Sequence, residues 1–274
     1  MRPMPLLASV ALATLLTGCP GPSETRAVTI KGSDTMVHVV STWAETFMRS
    51  NPGTEVSVTG GGSGTGIAAL INGTTDLAMS SRDMKDEEQK LAGKRSARIE
   101  RIVVGLDGIV VVVHPDNPVA ALTLDQLRQV FNGTLKRWNQ VGGPDQPIQV
   151  LSRESSSGTY AFFKEHVLKN DDFGPEVRLM PSTAAIVQTT AQDRWSIGYV
   201  GLGYAKDPSL KVVPVKADTD ATPIEPSVAS VTDGSYAIAR ELLLYAPVDR
   251  EGVARSFVEF TLSAEGQQLV ADTG

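Results

Sequence analysis

Three loops of this chain are crowded with glycine and hydroxyl side chains, each just after a strand pattern and just before a helical one. They are Gly32-Ser33-Asp34-Thr35, Gly60 to Gly66, and Ser155-Ser156-Ser157-Gly158-Thr159. The first turn of a helix holds N–H groups without helical partners and roughly half a positive charge. Glycine lets a ligand approach the backbone closely, and hydroxyls add movable donors. That combination suits an oxyanion. Each loop alone reads equally well as a cap for its own helix. Three together, with Arg153 and Asp76 beside them, point to a shared site.

Arg153 stands at the end of a strand, just ahead of Ser157-Gly158-Thr159, where its planar fork can meet a phosphate held by that turn. The plainer alternative is a surface arginine paired with Glu154 or another acid, worth about 0–1 kcal/mol. Asp76 opens an apolar strand, Leu77-Ala78-Met79, and can equally be satisfied by turn amides. At an anion site a carboxylate accepts only from a ligand that carries a proton, as hydrogen phosphate does and sulfate does not. Asp76 then acts as a filter. Two like unit charges about 4 Å apart at an effective dielectric of about 20 repel by about 4 kcal/mol, roughly a thousandfold in affinity.

Other motifs are weaker. Gly64-Thr65-Gly66-Ile67-Ala68-Ala69 fits a dinucleotide-binding pattern with alanine last, leaving an exported enzyme using that loop as one alternative. No Gly-Lys-Ser or Gly-Lys-Thr makes a nucleotide loop. His38, His114 and His166 fall in a helix, at a strand end and in a second helix, without a triad setting or zinc-like spacing. Neither a metal nor a cofactor is expected, and no catalytic residue is assigned.

The elements that must position these loops follow from periodicity. Ala27 to Lys31 alternates as a strand, and Met36, Val40, Trp43 and Phe47 recur at helical spacing. The strand-turn-helix unit repeats from Glu55 to Ile71, and again from Asp76 with a helix capped by Asp83 running to about Lys94. Arg101 to His114 holds two apolar runs split by Asp107-Gly108, read as strands crossing between domains. Thr123 and Gln126 form a capping box for Leu124 to Phe131. Ile148 to Ser152, Ile197 to Val200, Val212 to Val215 and Ala237 to Ala246 read as strands. Thr159 to Leu168, Ser182 to Ala191, Glu251 to Leu262 and Ala264 to Ala271 read as helices. Alternating strands and helices specify an α/β fold with a mainly parallel sheet.

The chain has 274 residues, 41% hydrophobic, with 25 Lys and Arg against 31 Asp and Glu and a formal charge of −6. That supplies core for two medium domains and gives no basic tract, so nucleic acid is not an expected partner. Arg2 precedes an apolar run from Leu6 to Leu16, too short for a permanent bilayer span. The run ends in Leu16-Thr17-Gly18-Cys19, which resembles a bacterial lipobox. Residues 1–18 are therefore expected to be a lipoprotein signal peptide. The chain's one cysteine, Cys19, is the expected lipidation site, and 19–27 a lipid-anchored tether.

Four stretches resemble the phosphate-binding proteins that deliver phosphate to ABC importers: Gly32 to Met36, Gly60 to Gly66, Asp76 to Ser81, and Arg153 to Thr159. The resemblance runs from about Thr29 to the end. It implies a two-lobe periplasmic-binding-protein fold, type II-like, with two hinge strands and a ligand cleft. One lobe spans 28–106 plus 233–274 and the other 107–232, with hinges near Gly105 to Gly108 and Thr232 to Tyr236. By the same resemblance Thr35, Met36 and Ser63 offer donors, and Asp76 accepts the ligand's proton. Arg153 pairs with the anion while Ser157, Gly158 and Thr159 wrap it. Ser33, Ser80, Ser81 and Arg82 are lesser candidates, Arg82 being favoured as a partner of Asp83 or Glu87. Asp34 is expected to point outward and cap. The implied protein is a monomeric, lipid-anchored receptor, not an enzyme, that passes inorganic phosphate to ABC permease subunits. It sits outside the cytoplasm on a bacterial membrane, in the periplasm or at the cell surface. A receptor for tungstate, molybdate or sulfate is the other alternative.

Overall fold

A computed structural model describes residues 26–273. The expected signal peptide, Cys19 and nearly all of the tether lie outside the described residues.

The first half alternates as its periodicity dictates: β1 (Arg26–Gly32), α1 (Val37–Ser50), β2 (Thr54–Thr59), α2 (Ser63–Ile71), β3 (Leu77–Ser80) and α3 (Asp86–Lys94). Helix α1 buries Val39, Val40, Trp43 and Phe47 on one face, each such side chain worth about 1.5–3 kcal/mol when fully buried. Asp83 does not cap α3. The helix starts three residues later, where the Glu88 carboxylate accepts from Lys85 N at 2.8 Å, and Asp83 pairs with Arg101 at 2.6 Å instead.

Strand β4 (Ile99–Val113) follows, then β5 (Leu122–Thr123), α4 (Leu124–Phe131), β6 (Gln149–Arg153), α5 (Gly158–His166), β7 (Arg178–Met180), α6 (Thr183–Gln192), β8 (Ser196–Gly201), β9 (Lys211–Val213), β10 (Val215–Lys216) and α7 (Val228–Thr232). Strand β11 (Ala239–Pro247) and helices α8 (Gly252–Leu262) and α9 (Ala264–Thr273) complete the described chain. The Thr123–Gln126 capping box forms as its spacing requires, Gln126 N donating to Thr123 Oγ1 at 3.0 Å.

The main sheet has the order β2-β1-β3-β11-β4-β8-β6-β7. β1 is parallel to β2 and β3, and β6 to β7 and β8, whereas β11 runs antiparallel to both β3 and β4. β4 is one unbroken strand where the sequence suggested two. Its residues 99–108 pair with β11, and 109–113 pair with β8 and β9.

Two sets of buried side chains lie at either end of β4. One comprises Val28, Trp43, Phe257 and neighbours, extended by Ile67, Leu70 and Tyr245. The other runs from Ile109 through Phe131, Trp138, Phe163 and Tyr199. Val231, Tyr236 and Ile238 belong to this second core. The Thr232–Tyr236 segment, which the sequence suggested as the return hinge, thus packs beside the second core just before β11 begins. The two crossings lie side by side, Ala239 opposite Gly108 and Arg240 opposite Asp107.

Candidate functional site

β1, β2 and β3 are parallel, so the loops leaving their C-terminal ends share one edge of the first lobe, where α/β sheets present ligand sites. Ser33 follows β1, Ser63 opens α2, and Ser80-Ser81 leaves β3. Their hydroxyls meet. Ser33 Oγ donates to Ser81 Oγ at 2.9 Å, Ser81 N donates to Ser63 Oγ at 3.1 Å, and Ser63 and Ser81 Oγ lie 3.4 Å apart. All three serines are buried.

The second lobe brings the third loop against them. Ser157 caps α5, its hydroxyl accepting from Tyr160 N at 3.3 Å. The amides of Gly158 and Thr159 then fall in the first turn, where a helix has no carbonyl of its own to offer them. Thr35 and Thr159 hydroxyls face each other across the lobes at 2.9 Å, and Gly64 N donates to Ser156 O at 3.0 Å. Gly158 is required for this approach: a Cβ there would stand 2.3 Å from Ser63 Oγ and 2.6 Å from Ser81 Oγ. Gly62 has φ 95° and backs onto Ser156 O, where a Cβ would come within 2.6 Å, so both the strain and the contact select glycine.

Two arginines enter this region, each tied to an acid. Arg153 donates from Nη2 to Asp34 Oδ2 at 2.5 Å, from Nη1 to Thr183 Oγ1 at 3.0 Å, and to the carbonyls of Met180 and Pro181. Four of its five N–H donors are thus engaged. Asp34 turns inward, its Oδ1 accepting from Gly61 N at 3.1 Å, so it does not point outward as the sequence suggested. Tyr204 of the second lobe donates to Asp34 O at 3.1 Å. Burial, with Asp34 adding to it, pushes the Tyr204 phenol up and keeps it a donor. Burial likewise raises Tyr199, whose hydroxyl lies 2.7 Å from Ser152 Oγ and fixes the end of β6.

The second arginine, Arg240, was not singled out in the sequence. It lies in β11 at the crossing, buried, and reaches the hydroxyls of Thr35 at 3.3 Å and Thr159 at 3.2 Å through Nη2. Its Nη1 donates to Ser81 O at 3.1 Å. Asp107 in β4 accepts from its Nε and Nη2 at 3.0 and 2.7 Å, and takes Leu202 N at 3.0 Å on the other oxygen. A signal existed: Asp107 and Arg240 stand beside the apolar runs of the two crossing strands, and a charge buried there needs a partner. The meeting point lies between two cavities. Thr35 and Asp107 line one of about 390 Å³, and Ser81 and Arg240 the other, of about 550 Å³.

Several expected residues fall elsewhere. Asp76 is exposed at the N-terminal end of β3, and its Oδ2 accepts from Thr29 N at 2.7 Å and Thr29 Oγ1 at 2.9 Å. β3 spans about 13 Å along its four residues, so Asp76 and the serines occupy opposite ends of the strand. Met36 directs its amide to Ser33 O at 3.1 Å and buries its side chain in the first core. Ser80 Oγ donates to Arg82 O at 2.7 Å, closing the turn. Arg82 is a partner residue, as favoured, but its acid is Glu88, gripped by both guanidinium ends at 2.8 and 2.7 Å.

A domain of the periplasmic-binding-protein (PBP) superfamily matches residues 20–265. The phosphate-binding protein PstS of Pseudomonas aeruginosa is 34% identical over 262 residues, covering 89% of this chain and 80% of the relative. The chain belongs to the PstS family. PstS of Staphylococcus haemolyticus is likewise 34% identical, over 86% of this chain and 77% of its own length. Among solved structures, a chain described as a phosphate ABC transporter substrate-binding protein from Clostridium perfringens, with bound phosphate, superposes with a TM-score of 0.83. It shares 31% identity over 90% of this chain and 98% of its own. An ABC-type phosphate transport receptor from Vibrio cholerae gives a TM-score of 0.71 at 27% identity, covering 90% and 98%. The two-lobe PstS-type fold is thus shared across nearly the whole described chain.

Proposed function

We propose that this chain is an extracytoplasmic receptor that closes two lobes on inorganic phosphate and presents it to an ABC permease, without chemistry of its own. The observation that carries this reading is the convergence of Thr35, Ser63 and Ser81 from one lobe with Gly158 and Thr159 from the other, beside buried Arg240. Hydroxyls and first-turn amides satisfy the oxygens of a small tetrahedral anion, and closure removes water that would compete for the same donors. Ser157 contributes the helix cap and its own O–H, and Ser33 steadies Ser81. Calorimetry with phosphate at fixed ionic strength tests the reading. One phosphate per chain is expected, and no binding heat overturns it.

The lobes are taken as 28–106 plus 233–274 and 107–232, with Tyr236 and Ile238 packing on the latter. Attachment through Cys19 is supported by the apolar run ending in Leu16-Thr17-Gly18-Cys19; among the described residues no helix is long and apolar enough to cross a membrane. Mass spectrometry of the chain recovered from membranes should find a lipid on Cys19, and Cys19→Ala should release the protein into the soluble fraction. Sedimentation of the released form should give a monomer.

A further inference from the structure

The cavity of about 550 Å³ is walled by both lobes and is rich in charge. Two of its first-lobe cations are neutralised by acids outside it, Arg82 by Glu88 and Arg240 by Asp107. What remains on that wall is Lys85 and Arg101 against Asp83, Asp86 and Glu241, with Arg101 bonded to both Asp83 and Glu241. The first-lobe wall therefore carries one negative charge in excess. Opposite it, α5 of the second lobe presents Phe162, Glu165 and His166. Arg240 Cζ lies 5.7 Å from the Phe162 ring centre, so the two walls meet here.

His166 is held in a defined pose. Its ring stacks on Phe162, with centroids 3.8 Å and planes 11° apart, and Nδ1 lies 3.1 Å from Phe162 O. A carbonyl only accepts, so Nδ1 carries the hydrogen and Nε2 is left to take up or release a proton. The residue is exposed, so water delivers that proton without any opening of the fold. Imidazole is the side chain whose charge changes between about pH 5 and 8, whereas carboxylates stay ionised there.

Building on the phosphate-receptor reading, we propose that His166 makes closure of the lobes proton-dependent. While the ring is neutral, closure presses Glu165 toward a wall that already carries excess negative charge. Protonation at Nε2 cancels Glu165 and removes that repulsion, so the closed form holds phosphate more tightly as the pH falls. Exposed charge pairs of this kind change affinity by about threefold. The device lies outside the hydroxyl cluster and leaves the choice of anion untouched.

The test compares the full chain with His166→Gln by calorimetry with sodium phosphate at about pH 8 and about pH 5.5. Phosphate itself gains a proton over that range, so the quantity read is the parent's affinity divided by the variant's at each pH, in which the ligand's own titration cancels. That ratio should rise about threefold at the lower pH in dilute buffer, and the rise should fade in about 0.5 M sodium chloride as the charges are screened. Loss of the Phe162 stack alone would weaken binding equally at both pH values. A ratio that pH leaves unchanged, or a rise that survives the salt, overturns the proposal. Glu165→Gln, which leaves the ring in place, supplies a second arm: it should tighten phosphate by about threefold at the higher pH, and an unchanged or weaker affinity overturns the proposal. A parent chain that binds no phosphate at either pH overturns the receptor reading itself, and this inference with it.

Discussion

Arg153 of the second lobe and Asp34 of the first are joined Nη2 to Oδ2 at 2.5 Å, with the arginine side chain 2% and the aspartate 14% exposed. The pair joins the two lobes across the cleft and engages Arg153, the residue the sequence suggested as an anion ligand. A charge-assisted bond exceeds a neutral one by about 1–2 kcal/mol. Asp34→Asn should therefore speed phosphate release by about 5–30-fold with little change in association, as read by stopped-flow fluorescence. Were Arg153 the anion's own cation, releasing it from Asp34 would tighten binding instead.

Arg240 links Asp107 to Thr35, Thr159 and Ser81 O. Arg240→Met leaves a buried carboxylate without its counter-charge, which costs about 3–5 kcal/mol of stability. The double variant Arg240→Met with Asp107→Leu should recover most of that loss in urea denaturation while still binding phosphate poorly. Recovery of both stability and affinity would restrict Arg240 to a structural role.

Asp76→Asn should leave the ranking of anions unchanged in competition calorimetry, because its carboxylate meets Thr29 and no residue of the hydroxyl cluster. A slightly lower urea midpoint is the expected effect, from a weaker acceptor for Thr29 N and Oγ1. Altered selectivity would return Asp76 to the site.

Gly158→Ala places a methyl group against Ser63 Oγ and Ser81 Oγ, both in the other lobe. The clash arises only on closure. The variant should fold with its melting temperature little changed, lose phosphate binding by about a hundredfold or more, and show no contraction in small-angle scattering on adding phosphate.

The parts of the site legible in the sequence are those decided locally. Glycine and hydroxyl residues between a strand and a helix mark Ser33, Ser63 and Ser157, and the spacing of Trp43 and Phe47 marks the helix behind the first loop. Asp76 lies away from the hydroxyl cluster because nearness along the chain is not nearness in space. It opens β3 while the ligand edge lies at the carboxyl ends of β1 and β3, a constraint that parallel topology already carried. Asp34 and Arg153 are 119 residues apart, and Asp107 and Arg240 are 133 apart. The first pairing has no local signature, and the second only a charge beside an apolar run. A charged residue followed by glycine usually ends a strand, but at Asp107-Gly108 Arg240 satisfies the charge and β4 continues.

The continuity of β4 beside β11 has a mechanical consequence. Two laddered strands passing together from one core to the other act as a single spine, stiff against sliding and compliant in twist. The two halves then swing as rigid covers about one axis. A membrane partner that grips their outer margins, far from the spine, works with the longest lever and needs the least force to part them.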